Sequence, residues 1–267
     1  MRWMYQRESQ LTQKMEDYLA STTASIWTLS QEDAGYFNNL KQVGSVKVFG
    51  LPATTIKVAE PLATKTFDIG MIGSWMWKPN QDGLRWFFDE VYPYLADTLS
   101  IQVAGRGAEW LRDRYPNVKY HGFVENAQQF LAQARVIPLP SVRGSGVQIK
   151  TLEAIGQGLP IVATPLALRN ITDPPSTVRQ AETPAAFASA LKDAITTSPS
   201  PKDLESVQKW LSNRRNHFLQ DVEVALSPHS ARNGRGQTIK KQAQGGDSSA
   251  GKQEKRNLKC EDEEPTN

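Results

Sequence analysis

The sequence predicts an α/β protein: a Rossmann-like parallel sheet with helices on both faces, preceded by a partial segment and followed by a disordered tail. Three observations lead there. Over residues 66–196, apolar β-rich runs alternate with helix-favouring runs, and parallel strands need such long crossovers. Runs such as VIPLP and IVAT are apolar without alternation, as expected for strands buried on both faces. Residues 227–267 are rich in Ser, Gly, Gln, Lys and Glu and nearly lack large apolar side chains, so they cannot bury enough surface to offset their ordering entropy.

Taken in order, residues 6–18 are polar and helix-favouring, 24–29 suggest a short strand, and 45–51 alternate as a second strand. Between these strands, Ser30 precedes Gln31, Glu32 and Asp33, an N-cap followed by acidic first-turn residues that suit the positive end of a helix dipole. In the main segment the strand candidates are 67–73, 99–105, 118–121, 136–139 and 160–164, with a weaker one at 178–181. The helix candidates are 81–95, 108–115, 126–134, 147–156 and 184–196. A further amphipathic helix spans 203–226, where Trp210, Phe218, Val222 and Leu226 recur at roughly helical spacing.

Composition removes several classes. The chain has 267 residues, 39% of them apolar and 22% charged, which is ordinary for a globular protein and unlike collagen or a coiled coil. A net charge of +3 from 31 basic and 28 acidic residues supplies no concentrated basic stripe for nucleic acid. One cysteine, Cys260, allows neither an internal disulfide nor a cysteine-based zinc module. His121, His217 and His229 form no ligand-spaced pair, so no metal site is expected. The polar start MRWMYQRESQ lacks the apolar core of a signal peptide, and no apolar run is long enough to span a membrane. The expected setting is cytoplasmic and reducing.

In an open parallel sheet, ligands bind beyond the carboxyl ends of the strands. Here those ends read Gly73-Ser74 followed by Trp75-Met76-Trp77-Lys78, then Gly105, then Gly122-Phe123, then Arg143-Gly144-Ser145-Gly146-Val147. Glycine lets backbone approach a ligand closely. The last turn leads into a helix, whose free N–H groups and dipole favour an anion. Lys150 adds positive charge near that helix start, and Glu153 follows three residues on, on a neighbouring part of the same face. A diphosphate at the helix start, with a carboxylate deeper in to accept from ribose hydroxyls, describes a nucleoside diphosphate. Without a ligand, the glycines only shape a loop and Lys150 and Glu153 are solvated. Trp75, Trp77 and Trp86 cluster after the first strand, either stacking on a sugar or packing in the core. The opening GSWMWKPN departs from G-x-G-x-x-G, which argues against a dinucleotide oxidoreductase.

The run PSVRGSGVQIKTLEAIGQGLPIVATPLALRNI resembles the donor-binding signature of glycosyltransferase family 4 (group 1), whose members have the GT-B fold. FDIGMIGSWMWKPNQDGLRWFFDEVYPYL, IQVAGRG and VKYHGFVENAQQFLAQARVIPLPS are similar to the family's earlier strands and loops, in the same order. The resemblance implies the following division: 1–57 as a remnant of the acceptor-side domain, 58–65 as a linker, 66–202 as the nucleotide-sugar donor domain, and 203–226 as the helix crossing back. By that division most of an acceptor domain would be missing. The resemblance further implies sugar transfer with retention, without metal or cofactor, from a UDP- or GDP-sugar substrate. The acceptor would be a saccharide, a lipid-linked sugar or a small molecule, with peripheral association at the inner face of the membrane where the acceptor is lipid-linked. Lys150 and Arg143 take the catalytic places; Gly73, Ser74, Lys78, Gly105, Gly122, Phe123, Gly144, Ser145, Gly146, Val147 and Glu153 take the donor-binding ones. Many members carry two Glu residues separated by seven others; the second corresponds to Glu153, whereas the first falls on Ser145 here, which leaves the sugar unassigned. The alternative is a non-catalytic nucleotide-binding or assembly module that needs a partner supplying the acceptor domain.

Overall fold

The computed structural model describes residues 2–40, 44–53, 65–144 and 146–227. Helix α1 (Arg2–Thr22) leads to a β–α–β unit of β1 (Ser25–Thr28), α2 (Gln31–Asn38) and β2 (Ser45–Val48). The two strands pair in parallel from Ser25↔Ser45 to Thr28↔Val48. Ser30 caps α2 as its position predicts, its Oγ accepting from the Asp33 N–H at 3.1 Å. Helix α1 is longer than expected and turns Trp3, Met4, Leu11, Met15, Tyr18 and Leu19 to solvent. Among the described residues no helix is long and apolar enough to cross a membrane.

The main sheet contains β3 (Phe67–Ile72), β4 (Ile101–Ala104), β5 (Val118–Gly122), β6 (Ala134–Leu139), β7 (Ile161–Ala163) and β8 (Val178–Gln180). Their spatial order is β5-β4-β3-β6-β7-β8, and every pairing is parallel. The chain winds outward from β3 on one side, returns to β6, and winds outward again. That reversal creates a topological switch point between β3 and β6. The intervening helices are α3 (Lys78–Trp86), α4 (Ala127–Ala132), α5 (Ile149–Gly156) and α6 (Pro184–Thr196), with α7 (Pro201–Leu226) closing the chain. Helices cover both faces. Along β7, Ile161 and Ala163 join a core with Leu152, Ile155 and Leu211, while Val162 joins one with Phe87, Phe187 and Leu191. That two-sided burial explains why the run shows no alternation.

Two helices depart from the expected pattern. The 81–95 candidate starts at Lys78, with Pro79 in the first turn where its missing N–H costs nothing. It ends through a π turn at Phe87–Val91 and a tight turn at Tyr92–Tyr94. The 108–115 candidate is only a single turn, Glu109–Leu111. Arg112 leaves the helical region, Asp113 takes a positive φ of 57°, and Glu109 accepts from the Tyr120 hydroxyl at 3.1 Å. Helix α5 begins two residues later than expected, at Ile149, so Lys150 is its second residue rather than a turn in. The expected tail, 227–267, lies outside the described residues after Ser227, as does the 58–65 linker before Lys65.

Helix α7 reaches from the main sheet to the first strand pair. The Arg214 Nε–H donates to the Leu51 carbonyl at 2.6 Å, and Phe218 meets Phe49 edge-on at 6.4 Å between centroids. The helix starts in a capping box between Ser200 and Asp203. Hydrogen bonds from Ser176 and Ser200 hold the Asp203 carboxyl down at about 2, below its ordinary 3.8. A depressed carboxylate stabilises the fold above its unfolded pKa, and that contribution disappears as pH falls through the folded value. Ser200→Ala should therefore lower the thermal midpoint by several degrees at neutral pH. The gap to wild type should narrow between about pH 4 and pH 2. A gap that stayed constant across that range would show that the Asp203 carboxylate charge does not carry the effect.

Candidate functional site

The ends of β3 and β6 part to form a cavity of about 470 Å³. Its cause lies in β6. The Ile137 N–H donates toward β7, to the Pro160 carbonyl at 2.9 Å, so residue 138 faces β3. Residue 138 is proline, which has no N–H to give. The β3–β6 pairing runs from Phe67↔Ala134 to Ile69↔Val136 and goes no further. Past that point the two strands are not paired, and Ile72, Gly73 and Ser74 line the cavity together with Pro138, Leu139 and Pro140.

Helices supply the polar groups. From α5 come Lys150, Glu153 and Gln157; from α4, Gln128 and Leu131; from α3, Asn80 and Gly83. Gly83 permits a close approach, since a Cβ there would sit 2.1 Å from the Pro140 carbonyl oxygen. The start of α3 is thereby pressed against the end of β6, and Asn80 reaches the cavity. Asn80 then joins two parts of the site. Its Nδ2 donates to the Ser74 carbonyl at 3.0 Å, and its Oδ1 accepts from Lys150 Nζ at 3.0 Å.

Lys150 is largely buried, and burial lowers its pKa from the ordinary lysine value. Its hydrogen-bond partner is the neutral amide of Asn80; among the described residues it makes no ion pair. The adjoining start of α5 has no side-chain cap, because its N-cap Gln148 makes no such hydrogen bond. A cation beside uncapped helix amides favours an anion with charge-assisted hydrogen bonding.

Four sequence-predicted site residues line the cavity together: Gly73, Ser74, Lys150 and Glu153. Gly144, Gly146 and Val147 form the turn that enters α5, outside the lining, and Ser145 lies outside the described residues. Lys78 and Arg143 are drawn elsewhere. Lys78 forms an ion pair with Asp82 one turn along α3, and Arg143, mostly exposed, has its Nη1 4.0 Å from the other Asp82 oxygen. Gly105, Gly122 and Phe123 sit at the ends of β4 and β5, outside the lining, and the exposed Phe123 ring lies under the Arg106 guanidinium at 5.5 Å. Trp75 is 5% exposed and packs in the core, its indole N–H donating to the Ala104 carbonyl at 2.8 Å, and it also lines the cavity. Trp86 packs edge-on against Phe187, and Trp77 is exposed. Sequence reasoning missed Asn80, Gln128 and Gln157. Only Asn80 had a signal, its place in the KPN start of the helix after the first strand.

Comparison with known proteins agrees with this architecture. Residues 66–197 match the family model described as "Glycosyl transferases group 1". Comparison with curated protein sequences gives no match. Among solved structures, Anabaena HepE in complex with UDP and glucose is similar at a TM-score of 0.59 and 15% identity, covering 82% of this chain and 67% of that one. Sucrose-phosphate synthase from Thermosynechococcus elongatus is similar at 0.54 and 15%, covering 79% and 59%. S. aureus TarM, solved with fondaparinux, alpha-GlcNAc-glycerol and UDP, is similar at 0.52 and 15%, covering 83% and 45%. At these identities the likeness is one of fold, and the chain spans about half to two thirds of those proteins' lengths. With the doubly wound sheet and the family match in agreement, residues 66–197 are a domain of the group 1 glycosyl transferase family.

Proposed function

We propose that the crevice between β3 and β6 is the donor site of a glycosyltransferase that takes a sugar from a nucleoside diphosphate. The observation that carries this reading is Lys150, a largely buried ammonium held by a neutral amide beside the uncapped start of α5. A diphosphate there would supply the missing negative charge. Glu153, on the same wall, would accept hydrogen bonds from the ribose. As the sugar–phosphate bond breaks, charge gathers on the leaving phosphate, and preorganised donors lower the barrier by meeting that charge. Lys150 and the amides at the α5 start fill that role without a metal; transfer with retention, the acceptor hydroxyl attacking from the face the diphosphate leaves, is proposed from the resemblance to the family. UDP is the first nucleotide to try, because HepE and TarM were both solved with it. The setting that goes with this reading is cytoplasmic, next to the inner membrane face for a lipid-linked acceptor.

Calorimetric titration with UDP, GDP and ADP, with and without a chelator, tests it. One nucleotide should saturate the chain at a single site, unaffected by the chelator, and Glu153→Ala should weaken it about tenfold, the loss of a charged hydrogen bond. Absence of saturable binding by all three would sink the donor-site reading.

A second reading is a nucleotide-binding or assembly module whose acceptor half comes from a partner. It is favoured by the exposed apolar side chains of α1 and by a first sheet of only two parallel strands among the described residues, since parallel sheets are normally larger and covered. Size-exclusion chromatography separates the readings: a chain that transfers sugar as a monomer excludes the second.

A further inference from the structure

Arg169 lies outside the cavity lining yet grips the turn that leads into α5. Its Nη1 donates to the Gly144 carbonyl at 3.0 Å and its Nη2 to the Gly146 carbonyl at 2.6 Å. No carboxylate pairs with it among the described residues, and its buried Nε has no hydrogen-bond partner. The guanidinium is therefore engaged through its two-pronged end alone.

The base of this clamp is held from two sides. Arg169 ends the tight turn Pro165–Leu168 that follows β7. The buried Thr164 hydroxyl before that turn donates to the Ser141 carbonyl at 2.6 Å, past the end of β6. The buried Thr151 hydroxyl of α5 donates to the Ala167 carbonyl at 2.9 Å. Arg169 thus projects from a turn already fixed to both elements that flank residues 142–148.

Two glycines leave the gripped turn with many accessible backbone states, and an anion site made of amides works only if those amides are aimed beforehand. In a trans peptide the N–H opposes the C=O. A Gly146 carbonyl directed at Arg169 therefore turns the Val147 N–H away from it. We infer that Arg169 is a positioning residue for phosphate binding: its fork bridges two carbonyls of the glycine turn and sets the amide geometry at the entrance to α5. The inference rests on the donor-site reading above. Lysine would keep the charge at this place but has no planar fork to span two carbonyls.

The test uses the full chain and the variants Arg169→Lys and Arg169→Met, titrated with UDP, GDP and ADP and with the matching nucleosides. Circular dichroism checks folding of each variant. Both variants should bind the preferred diphosphate about tenfold more weakly, the loss expected for charge-assisted hydrogen bonds, while nucleoside affinity stays unchanged. Equal weakening of diphosphate and nucleoside would show a merely structural role and overturn the inference. Wild-type diphosphate affinity in Arg169→Lys would overturn the fork. Failure of the wild-type chain to bind any diphosphate overturns the donor-site reading instead, and this inference falls with it.

Discussion

Lys150→Met should abolish tight nucleoside diphosphate binding and, at the same time, make the empty protein more stable. The ammonium is largely buried, its pKa lowered by desolvation, and its partner is an uncharged amide. Removing one member of a buried charge pair costs about 2–5 kcal/mol of binding, so the dissociation constant should rise about thirtyfold or more. Without ligand, the same ammonium is a partly buried charge with no counter-ion among the described residues, and an apolar side chain of similar length relieves it. A gain of about 1 kcal/mol is the usual scale for such a replacement at a functional site. The pH dependence follows in sign. A lysine with a lowered folded pKa disfavours folding while it is protonated in both states, so wild-type stability should rise as pH climbs through that folded value toward the unfolded one. A bound diphosphate favours the ammonium, so binding takes up a proton over the same window and affinity should fall as pH rises. Calorimetry and denaturant melts at several pH values measure both effects. Wild-type affinity in Lys150→Met would remove Lys150 from the site.

Gly105→Ala should cost about 4 kcal/mol or more of folding stability, at the top of the range for single substitutions. Gly105 has φ of +105°, and a Cβ there would lie 1.8 Å from the Gly73 carbonyl oxygen. Neither side can yield easily. The Gly73 N–H is bonded to the Ala104 carbonyl at 3.3 Å, and Gly105 itself donates to the Gly122 carbonyl across the next strand pair. Relief would need β3 and β4 to separate at the ends that border the cavity. Gly122→Ala is the control. Its φ is also positive, at 67°, but no atom lies within 4 Å of the added carbon. Only backbone strain remains there, about 1–2 kcal/mol. Urea midpoints read the difference, since a change in midpoint at constant slope is a change in stability. Equal losses at the two glycines would show that the steric contact is not what matters.

These two positions illustrate how differently the site was legible. Lys150 and Glu153 could be chosen from the chain because a glycine turn running into a helix is a local pattern, and both residues sit on that helix. Gly73 and Ser74 were legible as the end of the first strand. Asn80 was not, because its bond to Lys150 joins residues 70 positions apart. Lys78 and Arg143 read as phosphate contacts when only their charge and loop position are known. Asp82, which faces both, becomes their partner once α3 lies beside the turn after β6. The 108–115 run favours a helix locally, but Glu109 is used by Tyr120 and Asp113 takes a positive φ, both consequences of how β4 connects to β5.

The sequence by itself determined which runs of the main segment are strands and most of its helices, that the main sheet is parallel and covered on both faces, and where Ser30 caps α2. Each of those follows from periodicity, side-chain shape or neighbours within a few residues. Only the tertiary structure decided that β3 and β6 are adjacent and that Pro138 ends their pairing so that a crevice opens. It alone placed Trp75 in the core at the cavity's wall and Arg169 on the glycine turn. Hydrophobic pattern reports how deeply a residue is buried, whereas strand order decides which residues meet, and a site at a switch point is built from residues that only strand order brings together.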